Sequence, residues 1–156
     1  MVPKLKDILN ILEEIAPAYS AEEWDNPGLQ VGYPSQEVNK IFVALDPTLK
    51  AVEKALKSNA QLLLTHHPLI FKSLSCINKE IYPGNVISEA LKKGISIVAA
   101  HTNLDVAQGG INDILANLFS LDNIEALWKR DDFKFDNAGI GRIGDLPEPM
   151  KLGDMV

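Results

Sequence analysis

Leu62-Leu63-Leu64-Thr65-His66-His67-Pro68 is the stretch from which the rest of the chain can be laid out. An apolar run ends in two adjacent histidines and a proline. The 156 residues hold three histidines, and the third, His101, closes a second apolar run, Ile95-Ser96-Ile97-Val98-Ala99-Ala100. Asp105 follows in the next turn of sequence. Apolar runs this short, bounded by turn residues, read as buried strands. Both then deliver imidazoles where a strand stops.

Working outward, Ile41-Phe42-Val43-Ala44-Leu45 reads as a further short buried strand. Asp46-Pro47 is expected to open a helix, with Asp46 as N-cap and Pro47 as the first helical residue. Leu49, Val52, Ala55 and Leu56 supply its inner face, and Asn59 closes it. A loop is expected from Phe71 to Gly84. Val86, Ile87, Ala90 and Leu91 then mark a helix stopped by Gly94. Strand, helix, strand, helix, strand at this spacing predicts an α/β fold: a βαβαβ parallel or mixed sheet with flanking helices in three layers. Ligands of such sheets lie outside the carboxyl ends of the strands, where His66, His67 and His101 all fall.

Before this core, Leu5, Ile8, Leu9, Leu12 and Ile15 follow helical spacing, and Pro17 ends the run. Ala21 to Gly32 contains Trp24-Asp25-Asn26-Pro27-Gly28. It reads first as a capped turn with a packed tryptophan, and second as a polar loop over a pocket. After the core, Gly109-Gly110 precedes an amphipathic helix over Ile111, Ile114, Leu115, Leu118 and Phe119. Ile124 to Trp128 reads as a strand, and Lys129-Arg130-Asp131-Asp132 as a solvated turn. Ala138-Gly139-Ile140-Gly141-Arg142-Ile143-Gly144 alternates glycine with apolar residues, the mark of a strand approached closely by another backbone. Its glycine spacing superficially resembles a nucleotide loop, but it lies within a strand-like run and not at a strand-to-helix turn.

The formal net charge is −6 and the pI is near 5.0, which disfavours a nucleic-acid-binding surface. Hydrophobic residues make up 46% and charged residues 23%, the balance of a globular chain with a real core. A single cysteine, Cys76, excludes an internal disulfide. No apolar run approaches the roughly 20 residues that span a bilayer, so no membrane partner is expected. The N-terminus carries no signal-peptide core, and the expected compartment is the cytoplasm.

Neighbouring residues of a strand point to opposite faces. Two adjacent histidines therefore converge only past the strand, where the chain turns, and Pro68 favours extended backbone there. A cation takes both as neutral ligands and removes the repulsion between two imidazolium groups. His101 and Asp105 add nitrogen and oxygen donors from the next strand end. Mixed histidine and carboxylate ligation suits zinc, iron, manganese, cobalt or nickel better than calcium. A carboxylate can bridge two such ions, which would bring a shared water to a pKa near 7. The competing reading makes each histidine a hydrogen-bonded core residue.

Ala21 to Leu29, Thr65-His66-His67-Pro68-Leu69-Ile70-Phe71 and His101-Thr102-Asn103-Leu104-Asp105-Val106-Ala107 together resemble the NIF-three-like dinuclear metal-centre proteins, the type-two homologues of GTP cyclohydrolase I. Gly110-Ile111-Asn112-Asp113 and Gly141-Arg142-Ile143-Gly144-Asp145-Leu146-Pro147 fit as well, so the resemblance runs in order from Trp24 to Pro149. It implies up to two divalent metal ions held by His66, His67 and Asp105. His101 matches a position beside the metals and is a candidate either for supporting the ligands from behind or for catalytic proton transfer, with Thr65 and Asn103 nearby. The family completes its site with a later histidine and glutamate. No histidine follows His101 here, so the resemblance implies the N-terminal portion of that fold, with residues 1–121 as α/β core and 122–156 as the start of a second half. The implied activity is metal-dependent hydrolysis of a small molecule of the nucleotide or phosphate class, GTP being the family's own suggestion. The implied assembly is a homo-oligomer, a hexameric ring in full-length relatives. Alternatives are a non-catalytic metal-binding or regulatory protein, and a two-metal phosphoesterase of another kind.

Overall fold

A computed structural model describes residues 2–130, 133 and 137–154. Its centre is a four-stranded mixed sheet of β1 (Gly28–Val31), β2 (Ile41–Ala44), β3 (Leu62–Thr65) and β4 (Ser96–Ala99), in the order β1-β4-β3-β2. β2, β3 and β4 run parallel, as the alternation of strands and helices predicts. β1 runs antiparallel to β4. That strand was hidden in the turn-rich stretch after Pro27, because only Leu29 and Val31 in it are apolar.

Helices cover both faces. α1 (Leu5–Ile15) brings Leu5, Ile8, Leu9 and Leu12 onto Leu29, Leu62, Leu64 and Val98. α2 (Leu49–Lys57) and α3 (Gly84–Lys93) bring Val52, Ala55, Val86, Ile87 and Ala90 onto Leu63 and Ile97 of the other face. β3 and β4 lie inside the sheet under helices on both sides, which is why their sequences are continuously apolar. β2 is an edge strand. Phe42 and Ala44 pack inward, while Val43 stays 70% exposed beyond the reach of α1, so the expected buried strand is half-buried.

Helix ends follow local chemistry, with one correction. Gly94 adopts the left-handed conformation, φ 66° and ψ 31°, and ends α3 where expected. The cap of α2, however, is Thr48 and not Asp46: the Thr48 hydroxyl accepts from the Ala51 N–H at 3.1 Å. Asp46 is thereby free to point elsewhere.

Past β4 come the short α4 (Thr102–Val106) and α5 (Ile111–Leu118), then a separate antiparallel pair, β5 (Asp122–Lys129) and β6 (Gly139–Asp145). Gly139 is the expected close approach: a Cβ there would run into the Trp128 carbonyl. Of the expected charged turn, Asp131 and Asp132 lie outside the described residues. Arg142 docks this pair on α5. Its side chain is 2% exposed, its Nε donates to the Asp113 carboxylate, and its Nη1 donates to the carbonyls of Gly139 at 2.8 Å and Gly141 at 2.7 Å. No helix among the described residues is long and apolar enough to cross a membrane.

Burial works against ionisation of Asp113, but the Arg142 guanidinium and the Gly109 N–H outweigh it and hold its pKa below the ordinary carboxylate value. The folded pKa is depressed, so the stabilisation is complete above the unfolded value of about 3.9. It is lost as pH falls through the lower folded value. Asp113→Asn is expected to be less stable than wild type at pH 7, with the gap closing as pH drops from about 5 towards 2. Urea unfolding at stepped pH measures this, and a gap independent of pH contradicts it.

Candidate metal centre

Strand register builds the site. β2 pairs with β3 as Ala44↔Thr65, and β3 with β4 as Thr65↔Ala99. Two more steps along the same register set Asp46, His67 and His101 in one row across the carboxyl edge of the sheet. The backbone continues the pairing there: the His66 N–H donates to Ala44 O at 3.3 Å, His67 N–H to Leu45 O at 3.0 Å, and Ala100 N–H to Thr65 O at 2.9 Å. On the other flank, Gly28↔Ala99 extends backwards to place Asp25 opposite Thr102.

The three histidines meet. Their ring centroids lie 5.1 Å apart for His66 and His67, 5.0 Å for His66 and His101, and 5.5 Å for His67 and His101. One ring nitrogen from each lies within 4.8 Å of the others. Adjacent His66 and His67 converge because Thr65, 2% exposed, turns its hydroxyl onto the His67 carbonyl at 2.8 Å and curls the chain past the strand. Asp105, on α4, brings Oδ1 to 3.8 Å from His66 Nε2. That is too long for a hydrogen bond. It is close to the roughly 3–3.5 Å between two donors that share one ion at about 2.0–2.2 Å.

All three Nδ1 atoms are engaged by acceptors: His66 with Ala100 O at 3.0 Å, His67 with Asp46 Oδ1 at 2.7 Å, His101 with Asp25 Oδ1 at 2.8 Å. A carbonyl and two carboxylates cannot donate, which assigns the proton to Nδ1 of each neutral ring. Each Nε2 is left with its lone pair. Metal-ligating histidines have this arrangement, their other nitrogen donating to a carbonyl or carboxylate. Three such nitrogens with a carboxylate fit a divalent transition ion.

Asp25 and Asp46 are the two site residues that motif reading assigned to a turn and to a helix cap. Asp25 has a fully buried side chain, 0% exposed. It accepts from the Thr102 N–H at 3.1 Å, from the Thr102 hydroxyl, and from its neighbour Asn26 N–H at 2.7 Å. Burial opposes its ionisation, but the hydrogen bonds from Thr102, His101 and Asn26 prevail and its pKa is lowered. Trp24 lies edge-on to His101 with centroids 6.2 Å apart and contacts Phe71 at 5.7 Å, forming an aromatic wall beside the cluster. Asp25 is therefore more than a turn residue, because its carboxylate reaches across to His101 and Thr102. Asn103 is a latch. It accepts from the His101 N–H at 2.8 Å and donates to Ala16 O at 2.7 Å.

The family model for Duf34/NIF3 (NGG1p interacting factor 3) matches residues 3–156. The chain belongs to the Duf34/NIF3 family. It is 37% identical over 152 residues to a GTP cyclohydrolase 1 type 2 homolog of Clostridium acetobutylicum, covering 97% of this chain and 56% of that one. A homolog of the same name from Clostridium perfringens is 38% identical over 154 residues, covering 98% and 58%. The chain thus spans somewhat more than half the length of these relatives. Among solved structures, Staphylococcus aureus protein SA1388 superposes with TM-score 0.88 at 26% identity, over 98% of this chain and 62% of that one. Reduced HcgD from Methanocaldococcus jannaschii gives TM-score 0.78 at 36% identity, over 92% and 54%.

In this Duf34/NIF3 chain, Asp25 joins the loop after α1 to the edge of the sheet. Asp25→Ala leaves the Thr102 and Asn26 N–H groups without their acceptor. A loss of about 1–3 kcal/mol in unfolding free energy is expected. Urea denaturation at pH 7 checks it, and a change below about 0.5 kcal/mol would show that the Asp25 hydrogen bonds contribute nothing to stability.

Proposed function

We propose that His66, His67 and Asp105 hold divalent metal, that His101 handles a proton beside it, and that the centre serves hydrolysis of a nucleotide or other phosphate compound. The observation that carries the reading is the shared tautomer of three convergent histidines, each with Nδ1 committed to a protein acceptor. Unrelated hydrogen-bonded histidines have no reason to bring one ring nitrogen each within 4.8 Å of the others. The likeness to proteins named GTP cyclohydrolase 1 type 2 homolog supports a hydrolytic role. Nothing in the side chains around the cluster selects guanine, so the substrate class stays at phosphate compounds.

Bound at this site, a divalent ion supplies Lewis-acid polarisation and acidifies water. The chain's own residues supply the rest. His66 and His67, fixed by Ala100 O and Asp46, offer nitrogen donors without needing to rotate. Asp105 contributes negative charge on the side of His66. His101 holds a proton at Nδ1 against the buried Asp25 carboxylate, which stabilises an imidazolium if Nε2 accepts a second proton. Trp24 and Phe71 stand on the flank next to His101.

Elemental analysis of protein loaded with zinc or manganese, then desalted, is expected to show bound metal in wild type. His66→Ala is expected to lose most of it. Comparable metal content in the two proteins, or none in either, removes the centre. Turnover of GTP and simple phosphoesters with added manganese or zinc is expected to fall at least tenfold in Asp105→Asn. Metal retention with no turnover by wild type in any metal would leave a metal-binding protein in place of a hydrolase.

A further inference from the structure

Asp46 was expected to cap α2, and the cap is Thr48. The Asp46 carboxylate instead accepts from His67 Nδ1 at 2.7 Å. We propose that Asp46 is a positioning residue: it locks His67 in the Nδ1–H tautomer and so keeps its Nε2 lone pair available to the space shared with His66 and His101. The inference rests on the metal-centre reading above for its functional meaning, though not for its geometry.

Three observations carry it. The pairing is built into the sheet, because Asp46 and His67 lie across from each other on the continued β2–β3 register, tied by His67 N–H to Leu45 O at 3.0 Å. The helix end does not use the Asp46 carboxylate, since Thr48 caps it and the Thr48 N–H donates to the Asp46 backbone carbonyl at 3.0 Å. His67 also differs from its neighbours. His66 is held by a main-chain carbonyl that no substitution removes, and Asp25 of the His101 pair is fully buried. The Asp46–His67 pair is about half exposed, 54% and 46%. Water competes for that ring, so its orientation depends on one carboxylate. An isolated exposed ion pair contributes little to stability. The consequence of this pair is expected in the tautomer of His67.

The test uses the full chain and reads the tautomer directly. In metal-free wild type at pH 8, ring ¹⁵N shifts are expected to show His67 as Nδ1–H, like His66 and His101. In Asp46→Ala, His67 alone is expected to move towards the Nε2–H form that free imidazole favours, with melting temperature nearly unchanged. Zinc affinity, by competition with a chromophoric chelator, is expected to weaken 10–100-fold. Asp46→Glu is expected to restore part of both. An unchanged His67 tautomer in Asp46→Ala overturns the proposal, as does a zinc affinity within twofold of wild type. If wild type takes up no zinc, the metal reading fails by itself, and the tautomer of the metal-free protein still decides whether Asp46 fixes the ring.

Discussion

Parallel pairing of β3 with strands on both sides is the constraint from which the rest follows. Once Leu62 to Thr65 is hydrogen-bonded to Ile41–Ala44 and to Ser96–Ala99, the residues just beyond each strand have no freedom to choose neighbours. Asp46, His67 and His101 come to one row because the ladder runs out at the same height on three strands. A slip of one residue would exchange the faces of Leu62, Leu63 and Leu64, and each would misfit the helical layer it then met. The apolar core therefore fixes the polar site at its edge.

The site works by dividing labour between the two nitrogens of each imidazole. One is committed to the scaffold, through a carbonyl or a carboxylate, and the other is left with a lone pair. The acceptors differ in how firmly they are held. Ala100 O is part of the main chain, Asp25 is buried and tied by Thr102 and Asn26, and Asp46 is open to water. Rigidity across the cluster is graded accordingly, tight at His66 and His101 and looser at His67. Asp105 approaches from α4, whose start is set by the Asn103 side chain on the His101 N–H, so the carboxylate is indexed to the same strand end as His101.

The β5–β6 pair has a different character. It meets the core through α4 and α5, and Arg142 makes the join to α5 by satisfying Asp113 and two carbonyls at once. Leu127 and Trp128 of β5 are 66% and 76% exposed, so this sheet has little covering it in the chain described. The matched portion is 56% and 58% of the length of the two clostridial relatives.

Much of this was legible from residue order. Apolar runs ending in histidine, helical spacing after Thr48 and Gly84, and Gly94 as a stop are local properties, so sequence alone determined the three parallel strands, their helices and the three imidazoles at the strand ends. The glycine-rich strand near the C-terminal end was readable for the same reason, since close backbone approach leaves no room for a Cβ. What sequence could not determine was partnership. Asp25 sits in a stretch dense with turn residues and Asp46 precedes a proline where a helix cap is expected from sequence, so each had a local reading. Only the sheet, by setting Asp25 against Thr102 and Asp46 against His67, decided that each carboxylate serves an imidazole. Pairing between distant residues depends on register, and register is a property of the whole packed sheet.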